Sequence, residues 1–226
     1  MCFPKIIYFF IFLFSSLSLV SQNGDKASEK DLISSLNWKK WSPDVVPVFT
    51  PAESLAQFKV APGFKVELVA SEPMIKDPVF VDWDDAGRMW VGELRTYMRD
   101  LDGTGENERM SRVMVLEDTD QDGVMDKATP FVDDMINVRC IAFVDGGVLV
   151  VETGVLLFCK DIDGDLRCDE RKKLIDFATA AQSNIEHAEN ALHFALDNWM
   201  YNSKSSRKLA WRKGKLIEMP AKGRGQ

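Results

Sequence analysis

The stretch Asp118-Thr-Asp-Gln-Asp-Gly-Val-Met-Asp126 returns, forty-three residues later, as Asp161-Ile-Asp-Gly-Asp-Leu-Arg-Cys-Asp169. Each copy follows a short apolar run, at 113–116 and at 155–158, and each precedes another apolar run. A strand, an acidic turn and a second strand at a fixed distance predict one structural unit that the chain uses more than once.

A hairpin signal recurs beside these acidic turns. Asp85-Ala-Gly87, Asp145-Gly-Gly147 and Asp197-Asn198 each separate two apolar runs, and Asp-Gly or Gly-Gly in such a place is a strong hairpin signal. A hairpin followed by a strand, an acidic turn and a strand makes a four-stranded antiparallel unit of propeller-blade length. A β-sandwich also has many short strands at this spacing, but the recurring turn chemistry favours a propeller. We therefore predict an all-β fold, a partial β-propeller of four-stranded antiparallel blades.

The first part of the chain is predicted to lie outside the propeller. Residues 1–21 have an apolar run after a single lysine and small residues near the end, which is typical of a signal peptide. An uncleaved membrane anchor is the alternative interpretation. Residues 22–62 contain several prolines and are expected to be an extended lead-in with a short helix at 51–58. Export places the protein in the periplasm or at the cell envelope.

Residues 63–226 are predicted to form about three blades. They begin with an alternating strand at 64–70 and hold two complete blades and part of a third. Because an open propeller leaves unpaired strand edges, we interpret the chain as a truncated propeller and a fragment of a longer protein.

Charge and cysteine content exclude some functions and leave others open. The formal net charge is −7 with a pI near 5.0, so no basic surface is available to attract nucleic acid. The sequence has no C-x-x-C-H motif and therefore no covalent haem site of its own. Cys159 and Cys168 flank the second acidic turn, where they are expected to form either a disulfide or two half-buried thiols on adjacent strands.

The acidic turns are candidate calcium sites. Carboxylates at alternate positions, with glycine at the sharp turn, can surround a hard cation with oxygen ligands. The second copy matches less well, because Leu166 replaces the glycine and Lys172 takes the place of the final acid, where the first copy has Thr129. The alternative is a solvated acidic β-turn, since Asp and Gly form turns without a metal. The candidate ligands are Asp118, Asp120, Asp122, Asp126, Asp161, Asp163, Asp165 and Asp169.

Several stretches carry a family resemblance that covers about residues 50–226. They include Gly63-Phe-Lys-Val-Glu-Leu-Val-Ala-Ser-Glu-Pro73, Gly87-Arg-Met-Trp-Val91, Asn184-Ile-Glu-His-Ala-Glu-Asn190 and Leu196-Asp-Asn-Trp-Met-Tyr201. The chain resembles the membrane-bound dehydrogenase family, an exported propeller family related to quinoprotein sugar dehydrogenases. Longer members carry a C-terminal cytochrome c module. For the full-length protein the resemblance implies oxidation of a sugar or alcohol with pyrroloquinoline quinone as the cofactor.

Strand polarity predicts which face of the propeller binds a ligand. In an antiparallel four-stranded blade, the start of the first strand and the end of the second lie on one face, and the turn between the third and fourth strands lies on the other. Both acidic turns are therefore expected on one face. The opposite face gathers Asp77, Arg139, Glu186, His187 and Asn190 from strand starts, and Glu93, Arg95, Glu152 and Lys204 from strand ends.

This second face is the candidate active face. His187 is the candidate general base for a substrate hydroxyl, because the pKa of histidine suits proton transfer near neutral pH. Arg139 and Lys204 are candidate clamps for the carboxylates of a quinone, and Asn190 and Glu152 are further cofactor-binding candidates. The alternative for His187 is a structural histidine bonded to a neighbouring carboxylate. For Arg139 and Glu152 the alternative is a salt bridge between adjacent blades.

A different class of function competes with this enzyme hypothesis. The same fold would serve a non-catalytic propeller that calcium stabilises and that binds a carbohydrate or a protein.

Overall fold

The computed structural model describes residues 48–100, 102–177, 188–203 and 205–221. From Thr50 onward these residues belong to one compact unit. They are all-β, with twelve strands in three four-stranded antiparallel sheets and one short helix. The predicted all-β class and the four-stranded antiparallel units are confirmed. The predicted signal peptide lies outside the described residues, within which no helix is long and apolar enough to cross a bilayer.

Each sheet has its strands side by side in chain order, so each is a simple meander. Sheet 1 consists of β1 Pro78–Trp83, β2 Met89–Glu93, β3 Ser111–Glu117 and β4 Lys127–Met135. Sheet 2 consists of β5 Cys140–Val144, β6 Gly147–Glu152, β7 Val155–Lys160 and β8 Glu170–Asp176. Sheet 3 consists of β9 Asn190–Phe194, β10 Met200–Ser203, β11 Arg207–Arg212 and β12 Lys215–Pro220.

The lead-in contains the predicted short helix but not the predicted first strand. Helix α1, Pro51–Ala56, begins at a capping box in which Thr50 and Glu53 satisfy each other's backbone N–H groups. The alternating residues 64–70 are not a strand, which corrects the prediction. Val69 accepts one backbone hydrogen bond from Met125, and Phe64 remains 76% exposed. Alternation predicts a strand only where a neighbouring strand is available to pair with it.

The third sheet is complete, although the sequence predicted only part of it. Strands β11 and β12 are joined by the two-residue turn Lys213-Gly214, with φ of +50° and +72°. Two successive positive φ values match the twist of a tight hairpin. The prediction missed this hairpin because sheet 3 has no acidic loop at the corresponding place.

The sheets pack face to face in chain order because side chains alternate along each strand. In β6, Val148 and Val150 enter a core shared with sheet 1, where Trp90 lies buried. Leu149 and Val151 enter a second core shared with sheet 3, which contains Met200 among others. The middle sheet therefore has both faces buried. The first strands of sheets 2 and 3, β5 and β9, lie beside each other.

The hairpins and the acidic turns repeat at different distances because the connection between the second and third strands is longer in sheet 1 than in sheet 2. In sheet 1 the residues 94–110 connect β2 to β3, whereas Thr153 and Gly154 alone connect β6 to β7. The longer connection separates the first hairpin from the first acidic turn. The spacing between the two acidic turns is unaffected, because both lie after this connection.

Asp84 organises the β1–β2 turn. Its carboxylate accepts the backbone N–H groups of Ala86 and Arg88, both at 3.0 Å. It also accepts the Arg88 guanidinium at 2.7 Å and the Trp90 indole N–H at 2.9 Å. Burial alone would raise the pKa of Asp84, but the hydrogen bonds from Trp90 and Arg88 outweigh it and lower the pKa below its usual value.

Replacing Asp84 by Asn should destabilise the fold in a pH-dependent manner. Because the folded-state pKa is lowered, the ionised carboxylate stabilises the fold above its ordinary pKa of 3.8, and this stabilisation is lost as the pH falls through the lower folded value. We expect Asp84→Asn to lower the free energy of unfolding at pH 7 by about 1 kcal/mol. The difference from wild type should shrink below about pH 4.

Urea unfolding at pH 7, 4 and 3 measures this difference. Asp85→Asn is the matched control, because Asp85 is the exposed neighbour in the same turn and should change stability little at any pH. An equal loss in both variants would contradict the role given to Asp84.

Candidate functional site

Each acidic loop brings three carboxylates together. Oxygen atoms of Asp118, Asp120 and Asp126 all lie within 4.8 Å of one another, and so do those of Asp161, Asp163 and Asp169. Six of the eight predicted ligands therefore converge in two triads. The first member of each triad is half-buried and the other two are exposed.

Backbone N–H groups hold the first triad in place. Asp118 accepts the N–H of Gln121 at 2.7 Å and that of Gly123 at 2.9 Å. Asp126 accepts both the N–H and the hydroxyl of Thr119, at 2.7 and 2.8 Å. The loop is thus wrapped around its own carboxylates by hydrogen bonds.

The second loop repeats this scaffold at the same positions. Asp161 accepts the N–H of Gly164 at 2.7 Å and that of Leu166 at 2.9 Å. Asp169 accepts the N–H of Ile162 at 2.7 Å. The sequence repeat is therefore a repeat of hydrogen-bond geometry as well as of residue type.

Two predicted ligands lie outside the triads. Asp122 and Asp165 accept the N–H groups two residues ahead, of Val124 and Arg167, each at 2.8 Å. The residues at the last position of a calcium loop, Thr129 and Lys172, belong to strands β4 and β8. Each loop could therefore offer three carboxylates to a cation, and any remaining ligands would be backbone carbonyls or water.

The first triad has an unfavourable charge balance. Repulsion from Asp122, Asp126 and Asp118 raises the pKa of Asp120. Hydrogen bonds from Thr119 lower the pKa of Asp126 and keep it ionised. A bound divalent cation would relieve the repulsion that the loop imposes on Asp120.

Both loops need left-handed backbone at two positions. In the first loop these are Gln121, with φ of +64°, and Gly123, with φ of +92°. In the second they are Gly164, with φ of +87°, and Leu166, with φ of +65°. Each loop therefore has one glycine and one strained residue, and Leu166 is partly compensated because its side chain packs in the core between sheets 1 and 2.

Replacing the exposed Gln121 by Gly should stabilise the protein. Relief of left-handed strain is worth about 1–2 kcal/mol and glycine's extra chain entropy costs about 0.5–1 kcal/mol, so we expect a net gain of roughly 0.5–1 kcal/mol. Gly123→Ala should instead destabilise by about 1 kcal/mol through strain alone, since a Cβ there would meet no atom within 4 Å. Thermal unfolding of the two variants measures both effects, and a loss of stability in Gln121→Gly would refute the assignment of strain.

The opposite edge of the sheets, where first strands begin and second strands end, is called the strand-start edge below. In sheet 1 the carboxylate of Glu93 is fully buried there. It accepts the backbone N–H of Lys76 at 2.8 Å and is paired with Arg112 on β3. Arg95 lies 3.8 Å away. Glu93 therefore fastens the segment leading into β1 to the end of β2.

Glu152 performs the same task in sheet 2. It accepts the backbone N–H of Ile136 at 2.8 Å, just before β5. Arg109, from the long connection of sheet 1, and Arg171, on β8, lie 3.8 and 3.6 Å from its oxygens. Glu152 therefore takes part in a salt bridge between neighbouring sheets, as one predicted alternative had it. Its partner from sheet 1 is Arg109, whereas the prediction named Arg139.

A buried polar contact joins the same two sheets beside Glu152. The hydroxyl of Thr96 donates to the side-chain oxygen of Asn137 at 3.0 Å, and the Asn137 amide donates to the carbonyl of Glu106 at 2.8 Å. Sequence reasoning missed Thr96, Glu106 and Asn137. No periodic pattern marks them, because they lie in irregular connections.

The sequence did contain a signal for the two buried glutamates. Glu93 and Glu152 each stand six residues after the left-handed glycine of their hairpin, Gly87 and Gly146. Two ionisable side chains at equivalent places in buried second strands indicate a repeated structural interaction.

The other residues of the predicted active face are only partly described. Arg139 and Asn190, both half-buried, flank the starts of the adjacent strands β5 and β9. The neighbouring Cys140 is buried, which raises its pKa to about 12, although the Ala191 N–H and the Arg139 charge act in the opposite direction. His187, Lys204 and Glu186 lie outside the described residues.

Among the described residues, cavities lie at both edges of the sheets. One of about 370 Å³ lies at the strand-start edge of sheet 1, where Asp77 and Arg95 line it. A larger one of about 540 Å³ lies between the hairpin turns of sheets 1 and 2 and the second acidic loop. Its lining includes Asp84, Asp145, Asp161, Arg88, Trp90 and Phe143. The larger volume suits a small ligand, and it is on the edge that the sequence did not favour.

The three described cysteines are thiols. Cys140 lies in the core between sheets 2 and 3, whereas Cys159 lies in the core between sheets 1 and 2 and Cys168 packs against it. Cys159 is fully buried on β7 and Cys168 is half-buried just before β8, so the two are not a half-buried pair on adjacent strands.

A family model described as a domain of unknown function (DUF7133) matches residues 50–221. The chain belongs to this family. The match spans all twelve strands and both acidic loops of the DUF7133 chain. No curated protein matches it. The family description assigns no activity, so any function rests on the residues themselves.

Proposed function

We propose that this DUF7133 chain forms three consecutive blades of a β-propeller, that its acidic loops bind calcium as a structural staple, and that it binds a carbohydrate. The paired carboxylate triads on identical hydrogen-bond scaffolds are the observation that carries this proposal. None of the described residues is proposed to be catalytic.

The order of packing supports the propeller arrangement. A sandwich has two sheets facing each other, whereas here three meander sheets follow one another and the middle one is buried on both faces. The neighbouring positions of β5 and β9 fit first strands that gather around a shared axis. Ile217 on the outward face of sheet 3 is 40% exposed, as a blade face is where another blade can pack, whereas residues of the lead-in such as Val69 and Met74 cover part of the outward face of sheet 1.

Calcium fits the donor set of the loops better than other common metals. The triads consist of carboxylates only, which hard cations prefer, and magnesium would demand a more regular octahedron than three loop carboxylates offer. With three acidic ligands and no bidentate acid at the end, each site should be weak, with a Kd of about 0.1–1 mM, as in extracellular calcium modules. The proposed export would suit sites of this strength.

The larger cavity is the proposed carbohydrate site. Asp145 and Asp161 can accept hydrogen bonds from sugar hydroxyls, and the half-buried ring of Phe143 offers an apolar surface. Asp161 belongs to the second triad as well, so calcium would order one wall of the cavity. Titrating neutral sugars with and without calcium tests this part of the proposal.

Calcium at 10 mM should raise the free energy of unfolding by about 1–3 kcal/mol for each loop that binds it, which follows from the expected Kd by mass action. Asp120→Asn should remove the contribution of the first loop, and Asp163→Asn that of the second. Calorimetric titration and thermal unfolding measure binding and stabilisation. Affinity should fall as the pH drops through the raised pKa of Asp120.

Asp122→Asn and Asp165→Asn are the matched controls for the calcium test. Each removes one negative charge from the same loop but leaves the triad intact. If these controls weaken binding as much as the triad variants do, the loops attract calcium only by their overall charge. If sodium chloride at equal ionic strength stabilises the protein as calcium does, the staple is refuted.

Quinone-dependent oxidation of a sugar or alcohol is the second candidate function. The juxtaposition of Arg139 and Asn190 at the starts of β5 and β9 favours it, since a guanidinium there can pair with a quinone carboxylate. Lys204 would provide a second cation, and His187 would accept the substrate hydroxyl proton. A bound quinone would supply the two-electron acceptor, and a cytochrome c module of a longer relative would take the electrons onward. Glu152 is a weaker candidate, because its oxygens already pair with Arg109 and Arg171.

The chain titrated with pyrroloquinoline quinone should show saturable quenching of tryptophan fluorescence under this second hypothesis. Addition of sugars or alcohols should then reduce a redox dye. His187→Ala should lower the dye reduction at least about 100-fold, while His193→Ala, the chain's other histidine, should leave it unchanged. Absence of saturable quenching would exclude this function and would leave the calcium proposal untouched.

A further inference from the structure

The two sulfhydryl groups beside the second acidic loop are placed to react with each other. Cys159 ends the buried part of β7 and is 0% exposed, and Cys168 is the half-buried penultimate residue of the loop. The backbone hydrogen bond from Asp169 N–H to the Lys160 carbonyl, at 2.9 Å, closes the loop between them. Both cysteines pack in the core between sheets 1 and 2, and the Cys168 thiol donates to the Glu170 carbonyl at 3.1 Å. The remaining described cysteine, Cys140, faces the other core of the sheet and cannot compete for either.

The first acidic loop provides an internal comparison. Leu116 and Met125 occupy the positions in the first repeat that correspond to Cys159 and Cys168, forty-three residues earlier. Both belong to the apolar cluster on the outward face of sheet 1, where Leu116 is fully buried. The same closing hydrogen bond is present, from Asp126 N–H to the Glu117 carbonyl at 2.9 Å. At this place the first loop therefore packs through Leu116 and Met125, whereas the second loop packs through Cys159 and Cys168.

Each loop holds one left-handed residue that is not glycine, Gln121 in the first loop and Leu166 in the second. A covalent bond across the base of the second loop would add stability, because it removes conformational freedom from the unfolded chain.

We propose that Cys159 and Cys168 form an intrachain disulfide that locks the second acidic loop when the protein meets a disulfide oxidant. Cys168, the more exposed of the two, attacks one sulfur of the oxidant and releases one thiol. The Cys159 sulfur then attacks Cys168 in this mixed disulfide and releases the second thiol. The two protein thiols lose two electrons and two protons, and the oxidant's disulfide becomes two thiols.

The test treats the full chain with oxidised glutathione, with Cys2, which lies outside the described residues, replaced by serine. After alkylation and proteolysis, the expected product is one peptide pair joined through Cys159 and Cys168, with Cys140 alkylated under denaturing conditions. The oxidised protein should unfold about 5 °C above the reduced protein. A stable glutathione adduct on Cys168 beside a free Cys159, or a disulfide that involves Cys140, would overturn the proposal.

The repeat supplies the control variant. Cys159→Leu with Cys168→Met installs the residues that the first loop uses, so the fold should be retained and its Tm should become independent of glutathione. Cys140→Ala should keep the full redox dependence of the Tm. If the Leu/Met variant still responds to oxidised glutathione, the stabilisation does not come from this disulfide.

Discussion

Alternation of side chains along the strands of sheet 2 is the constraint on which the rest of the structure depends. A sheet must bury an apolar face against another element, and because sheet 2 is apolar on both faces it shares them with two neighbours. Valines 148 and 150 face sheet 1, and Leu149 and Val151 face sheet 3. A shift of register by one residue would exchange the two sets and disrupt both cores at once. The hairpin turn at Asp145–Gly147 therefore fixes more than a local bend, because it sets which residues belong to which core.

Polar interactions secure the places where the apolar packing ends. At the strand-start edge, Glu93 and Glu152 each accept a backbone N–H from the segment that leads into the first strand of their own sheet. Buried carboxylates are costly unless they are paired and hydrogen-bonded, and the surrounding arginines and N–H groups meet that condition. Because Arg109 reaches Glu152 from the connection of sheet 1, the same carboxylate joins two sheets. An interaction of this kind explains a glutamate in the strand without any contact to a ligand.

The two acidic loops show how one backbone scaffold can be maintained by different chemistry. Both wrap their N–H groups around the first and last aspartates, and both use two left-handed residues. The hydrogen-bonded scaffold alone would account for most of the Asp and Gly residues that the two loops share. The remaining feature is the crowding of carboxylates around Asp120. That crowding is electrostatically unfavourable in the absence of a cation, which makes it the part of the loop that turn formation does not explain.

Local signals determined much of this protein from the sequence alone. Asp, Gly and alternating apolar runs set turns and strands through short-range sterics and hydrogen bonds, so the hairpins, the acidic loops and the four-stranded units were predictable. The strand at 64–70 was wrong because a strand also needs a partner, and the last hairpin was missed because Lys213-Gly214 carries no acidic signature. Only the tertiary structure decided which carboxylates become buried partners of the backbone, that 94–110 reaches sheet 2, and where the cavities open. These depend on distances between residues far apart in the chain, and no local pattern encodes such distances.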